Sequence, residues 1–190
     1  DDLLLLANTE QTEFLRLESI DLPSFVSELW DGVSLLADRR YELGPVPAGA
    51  LRADPDRLAQ ALRNLIANAI QHTAEDAGLV RMLVERTTAG RIRFAVEDDG
   101  PGIAPEERER VFDRFHRTDP ARDRASGGAG LGLAIVRAIV QGHGGRASAA
   151  RSPEGGARME IELDGFTPST RPAAELRGLA TGAAAGGEAS

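Results

Sequence analysis

Two carboxamides, Asn64 and Asn68, stand four residues apart and are followed by Gln71 and His72. On a helix these four side chains share one polar stripe. The carbonyl oxygens of two Asn at that spacing could hold a hydrated divalent cation; a polar edge turned to solvent is the plainer use of the same pattern. Asn is a poor helix former, so two in mid-helix carry a small penalty that surface polarity does not require. A second group begins at Asp98, which continues the inward phase of Ile92, Phe94 and Val96. A carboxylate on the core side needs a donor, and an exocyclic amine such as that of adenine would supply one. Gly100 and Gly102 would let the backbone come close to a planar ligand, although an ordinary Asp-Gly turn has the same residues. A third group, Gly127-Gly128-Ala129-Gly130-Leu131-Gly132, opens a helix. Its free N–H groups and positive dipole end could receive phosphates, and a hinge is an equal account of the glycines. Between the last two groups lie Arg108, Arg110, Arg114, Arg117, Arg122 and Arg124, interleaved with acids. Most of this group reads as a solvated surface in which the arginines pair with those acids, while one or two could close over a polyphosphate.

Composition removes several other chemistries. The 190 residues carry a formal charge of −8, which argues against nucleic acid or an anionic membrane as partner. There is no Cys, hence no disulfide, thiolate nucleophile or thiolate-bound zinc. There is no Lys either, so Schiff-base chemistry and a Walker-type phosphate loop are excluded. The three histidines, His72, His116 and His143, are too scattered for a zinc site, and His116 and His143 read as structural. No run approaches the length of a membrane span, and a basic leader is missing. The opening Asp-Asp-Leu-Leu-Leu-Leu-Ala reads as the end of a helix whose partner belongs to a longer protein, or equally as a frayed helix packed on its own domain.

The elements that must position these groups are unevenly written. Asp21-Leu22-Pro23 is cap-then-proline chemistry, with Phe25, Leu29, Val33 and Leu36 at helical spacing, predicting a helix over about 22–39. The glycines and prolines of 44–49 mark a loop. Asp54 and Pro55 open a second helix whose stripe is Leu58, Leu62, Leu65, Ile66 and Ala69. Strands are predicted at about 79–86, 91–98 and 158–163, and a third helix carries Leu133, Ile135, Val136, Ile139 and Val140. The Ala/Gly-rich stretch 167–190 reads as a disordered tail.

In order, Asn64-Leu-Ile-Ala-Asn68-Ala-Ile-Gln71-His72-Thr73, Asp98-Asp-Gly100-Pro-Gly102-Ile103, Phe112-Asp-Arg-Phe115 and Gly128-Ala-Gly130-Leu131-Gly132-Leu133 resemble the four boxes of the sensor histidine kinase ATP-binding domain. That family lies within the GHKL group, and the resemblance runs from about Leu22 to Leu163. It implies an α/β (α+β) two-layer sandwich, a mixed and largely antiparallel sheet packed on three helices. It also implies three segments: the end of a dimerisation-hairpin helix and linker over 1–20, the ATP-binding catalytic domain over 21–166, and the tail.

Carried over by position, Asn68 corresponds to the Mg2+-coordinating Asn, with Asn64 beside it. Asp98 corresponds to the acceptor of the adenine amine, Gly100, Gly102 and Ile103 to its pocket, and Gly128, Gly130, Leu131, Gly132 and Leu133 to the phosphate-side lid and helix start. Gln71 stands where relatives often carry Lys or Arg and His72 where Tyr is common. This shifts phosphate neutralisation toward lid arginines such as Arg117, in a lid expected to be mobile without nucleotide. None of the three histidines has the context of a phosphoacceptor. The resemblance therefore implies a catalytic piece that phosphorylates a histidine on a hairpin lying outside this chain, for transfer to a response regulator receiver domain. Its parent would be a homodimer anchored in the cell membrane, with this domain in the cytoplasm. The competing readings are a GHKL-type ATPase and a non-catalytic nucleotide-binding regulatory module. In the ATPases a Glu near the position of Asn64 activates water, and a carboxamide cannot act as that base.

Overall fold

The computed structural model describes residues 15–33, 37–74, 77–114 and 131–169. The chain order is β1 (Glu18–Asp21), α1 (Leu22–Val33), β2 (Arg40–Leu43), β3 (Gly49–Ala53), α2 (Pro55–His72), β4 (Leu79–Arg86), β5 (Ile92–Asp98), a 3-10 turn (Pro105–Glu107), α3 (Gly132–Gly142), β6 (Arg146–Arg151), β7 (Ala157–Leu163) and β8 (Phe166–Pro168). Five strands form the main sheet in the order β2-β4-β5-β7-β6, antiparallel except for the parallel β2–β4 edge. Among the described residues the fold is therefore the expected mixed, largely antiparallel sheet with three helices.

Register decides which face is core. Val80, Met82 and Val84 of β4 face Asp98, Val96 and Phe94 of β5, and Val96, Phe94 and Ile92 in turn face Met159, Ile161 and Leu163 of β7. These residues are buried, and the helices lay their apolar stripes over them, Leu58, Leu62, Leu65 and Ile66 from α2 and Val136 and Val140 from α3. The alternate residues, Arg81, Glu97, Arg158 and Glu160 among them, occupy the other face and pair with one another. Side-chain alternation with period two thus sorts a mixed sequence into a dry face and a charged one.

The first helix is shorter than its spacing predicts. Asp21 caps it, its Oδ2 accepting from the Ser24 N–H at 3.2 Å and the Ser24 hydroxyl at 2.6 Å. It is described over Leu22–Val33, residues 37–39 are not helical, and Arg40–Leu43 is a strand. Tyr41 there meets Trp30 edge-on, ring centroids 5.9 Å apart, so the chain turns back onto its own helix before joining β4. A second, three-stranded sheet (β1-β3-β8) is absent from the sequence reading, and it crosses both expected domain limits, starting at Glu18 and running to Pro168. Phe166 and Thr167 are ordered by backbone pairing to Leu51 and Ala50, which composition does not reveal.

That sheet delivers β3 directly into the cap of α2. Asp54 is buried; its Oδ1 accepts from the Arg57 N–H at 3.1 Å and its Oδ2 from the Arg16 N–H at 3.0 Å. Its own N–H donates to Nε2 of His143 at 3.0 Å, while the His143 Nδ1–H donates to the Ile139 carbonyl at 2.8 Å. His143 is thus the structural residue expected, tying the end of α3 to the start of α2. Burial alone would raise the Asp54 carboxyl, but the Arg57 and Arg16 N–H groups and nearby His143 hold it below its ordinary value. Such a group stabilises the fold while ionised and loses that contribution as pH falls through its folded-state pKa. Asp54→Ala should therefore cost about 1–2 kcal/mol near neutral pH, with the gap narrowing in acid. Urea denaturation at a series of pH values checks this; a gap that widens in acid would contradict it.

Candidate functional site

At the end of β5 the backbone brings Asp98 to the helix-side face, where the residue is 2% exposed. Its Oδ1 accepts from the Gly100 N–H at 3.0 Å and from the Ala157 N–H at 2.9 Å. Its Oδ2 is buried and has no partner. Burial pushes the carboxyl above its ordinary value, against the lowering effect of the Ala157 and Gly100 N–H groups and His72. An orphaned buried acceptor is unfavourable, and a ligand amine brought within reach would satisfy it.

The surroundings of Asp98 are made of backbone. A Cβ on Gly100 would stand 2.5 Å from the His72 carbonyl, so α2 and the strand end meet with no room for a side chain. Gly102 has φ +75°, and a Cβ there would press on the carbonyls of Gly155 and Gly156. Ile103 packs against the core beside them.

Three contributors were not singled out in the sequence. The turn joining β6 to β7 closes over Asp98: Ser152, buried, donates its hydroxyl to the Asp98 carbonyl at 2.7 Å. A Cβ on Gly156 would overlap that carbonyl and Oδ1. Asp99 accepts the Leu79 N–H at 2.9 Å and so ties the strand end to β4. The Ser-Pro-Glu-Gly-Gly run of 152–156 is a readable turn, but its contact with Asp98 depends on the pairing of β5 with β7.

Across the helices, Asn64 and Asn68 lie half-buried on α2, His72 is half-buried at its end, and Gln71 is exposed. Asn64 donates from Nδ2 to the Gly132 carbonyl at 3.2 Å, which ties the polar stripe to the first residue of α3. Leu131 precedes that helix and offers no side-chain cap to its first turn. Leu133 is partly buried against the core. The structure therefore places Asn64 beside Gly132, and His72 beside Gly100 and Asp98. Phe112 is buried in the core. Arg117, Gly128 and Gly130, like Phe115 and His116, lie outside the described residues.

The donor set suits a magnesium nucleotide on chemical grounds. The carboxamide oxygens of Asn64 and Asn68 are hard neutral ligands, of the kind Mg2+ accepts alongside waters and phosphate oxygens. Among the described residues no three His, Cys, Asp or Glu side chains gather into a metal-binding group. The purine amine and the orphaned Oδ2 are complementary in the same way.

Comparison with known proteins bears on this arrangement. The sequence model of the histidine kinase-, DNA gyrase B- and HSP90-like ATPases matches residues 53–165. The chain is 38% identical over 172 residues to the sensor histidine kinase CpxA of Escherichia coli K12, covering 86% of this chain and 36% of CpxA. It thus spans about a third of the length of such curated relatives. Among solved structures, it resembles full-length ShkA in complex with AMPPNP (31% identity, TM-score 0.72, 90% of this chain and 36% of that one). It also resembles the ATP-binding domain of PrrB from Mycobacterium tuberculosis (31% identity, TM-score 0.60, 80% of this chain and 98% of that one).

Proposed function

The chain belongs to the family of histidine kinase-, DNA gyrase B- and HSP90-like ATPases, and we propose that it is the ATP-binding catalytic domain of a sensor histidine kinase. Its task is to hold Mg-ATP with the terminal phosphate open to a histidine on a dimerisation hairpin. That histidine then passes the phosphate to an Asp of a response regulator receiver domain. The observation that carries the reading is the buried, unpartnered Oδ2 of Asp98, on a carboxylate whose other oxygen is held by backbone and crowded by Gly100 and Gly156. It is an acceptor suited to an amine, at a strand end that leaves no room for further side chains.

The rest of the site divides the labour. Asn68 and Asn64 would hold Mg2+, which supplies charge neutralisation between the phosphates when bound. Gly132 and the start of α3 face the phosphate side, with Gly128, Gly130 and Arg117 assigned there by their places in the motif. Gln71 and His72 border the nucleotide, and neither brings a fixed positive charge. His143 is unsuited to accept phosphate, since Asp54 and Ile139 engage both ring nitrogens. Transfer to a presented histidine is preferred over hydrolysis because Asn64 is tied to Gly132 and has no useful basicity. No helix among the described residues is long and apolar enough to cross a membrane. The proposed parent is a membrane-anchored homodimer with this domain on the cytoplasmic side.

The test is transfer in trans. Incubated with labelled Mg-ATP, the chain should bind nucleotide and hydrolyse it far below the roughly 1 s⁻¹ of working kinases. It should form no acid-labile phosphohistidine by itself. Addition of the hairpin from the intact kinase should yield label on the hairpin histidine, weakly, because tethering raises effective concentration in the whole protein. Label on His72, His116 or His143, or fast turnover without a partner, would overturn the proposal.

A further inference from the structure

The charged face of the sheet holds an ion pair that ordinary strand pairing does not explain. Arg93–Glu162 joins facing residues of adjacent strands, and Arg91–Asp164 lies just beyond the same strand pair. Arg81 reaches further. It stands on β4, separated by β5 from β7 and β6, yet its guanidinium contacts Glu154 at 2.5 Å, at the tip of the β6–β7 turn. On the way it meets Glu97 at 3.3 Å, and its Nε is held by Glu42 of β2 at 2.8 Å. Glu97 is 1% exposed, directly precedes Asp98 and points to the opposite face; its other oxygen binds Arg158. Arg158 follows Ala157, whose N–H donates to Asp98. The end of β5 and the β6–β7 turn, which meet at Asp98, are therefore also gripped from the charged side.

We propose that Arg81 and Glu154 are positioning residues for base recognition, holding the Ser152–Gly156 turn against Asp98 from the far face of the sheet. The inference rests on the reading that Asp98 receives an adenine amine. The turn supplies the Ser152 hydroxyl to the Asp98 carbonyl and brings Gly156 into the space beside Oδ1. A small drift of the turn would loosen the contacts that fix the Asp98 carbonyl and Oδ1, and with them the direction of Oδ2; an acceptor not held in place discriminates poorly between an amine and an oxygen. The Arg81–Glu154 pair is only partly buried, and a pair still open to solvent contributes little to folding, so its value here lies in fixing one geometry. Arg suits the task, because a planar fork can serve Glu42, Glu97 and Glu154 together.

The experiment compares binding of ATP and ITP, which differ at the amine position, by calorimetry on the full chain. Glu154→Ala should lose roughly three- to tenfold in ATP affinity while ITP affinity and melting temperature stay nearly constant. Glu154→Gln should fall between parent and Ala. Glu42→Ala removes a partner of the same Arg81 without touching the turn, and should leave the ATP-to-ITP ratio as it was. Equal effects of Glu154→Ala and Glu42→Ala, equal losses of ATP and ITP, or no change would overturn the proposal. Asp98→Asn, run alongside, separates the two ideas. If it collapses the ratio while Glu154→Ala does not, positioning by Glu154 fails alone. If it leaves the ratio intact, the adenine reading falls and this proposal with it.

Discussion

Asp98→Asn is expected to weaken ATP binding by about 1.5–3 kcal/mol, roughly 10- to 150-fold, and to improve ITP relative to ATP. The direction follows from the two donors already in place. Gly100 and Ala157 both present N–H groups to Oδ1, so an Asn there must put its carbonyl oxygen at that position. Its NH2 then occupies the place of the orphaned Oδ2 and points a donor at the adenine amine, itself a donor. A 6-oxo purine meets the same NH2 with an acceptor. The substitution therefore inverts preference, which a general loosening of the pocket would not do. Calorimetry showing equal losses for ATP and ITP would remove Asp98 from this role.

The same substitution has a consequence for the empty protein. Burial holds the Asp98 carboxyl above its ordinary value, so its ionised form is less favourable in the folded chain than in the unfolded one. Folded protein consequently loses stability as pH rises through the carboxyl range. The uncharged Asn escapes this, so the ligand-free variant should melt higher than the parent near neutral pH and lose its advantage in acid. Weaker binding together with a firmer fold is the mark of a residue kept for its ligand.

Legibility in the sequence followed the strength of local patterning. The helix after Asp54 and the strands Leu79–Arg86 and Ile92–Asp98 were readable because apolar stripes and alternation set them, with little need of neighbours. Strands β1, β2, β3 and β8 are three to five residues long. What defines them is pairing with distant chain, and no periodicity announces them. The alanine-rich β6 failed to register for the related reason that Arg-Ala-Ser-Ala-Ala-Arg has no large side chain to alternate. The site divided similarly. Asp98 is legible through its phase on β5, while Ser152 and Gly156 reach it only by the folding of a hairpin more than fifty residues on. Helical spacing puts Asn64 beside Asn68; that the Asn64 NH2 is taken up by the Gly132 carbonyl is a matter of how α2 packs on α3.

Asn68→Ala should abolish the magnesium dependence of nucleotide binding and lower transfer to the hairpin by about 10²–10³-fold, the several kcal/mol that a metal supplies in such reactions. The residue sits half-buried on α2, one turn beyond Asn64 and on the same polar stripe. It has no share in the apolar stripe of Leu58, Leu62, Leu65 and Ile66. Truncation therefore removes a carboxamide from the polar stripe and nothing from the core. Ala is also the better helix former by a few tenths of a kcal/mol, so the melting temperature should hold or rise slightly while transfer collapses. Asn64→Ala provides the contrast. It deletes the hydrogen bond to Gly132 and should lower stability by about 1 kcal/mol through the seam between α2 and α3, with a smaller loss of transfer. Titration of ATP with and without Mg2+ distinguishes the two directly. In the parent, chelating the metal should weaken binding; in Asn68→Ala it should make no difference. If Asn68→Ala instead unfolds by circular dichroism, or its binding still responds to Mg2+ as the parent does, the stripe is structural and the metal is held elsewhere.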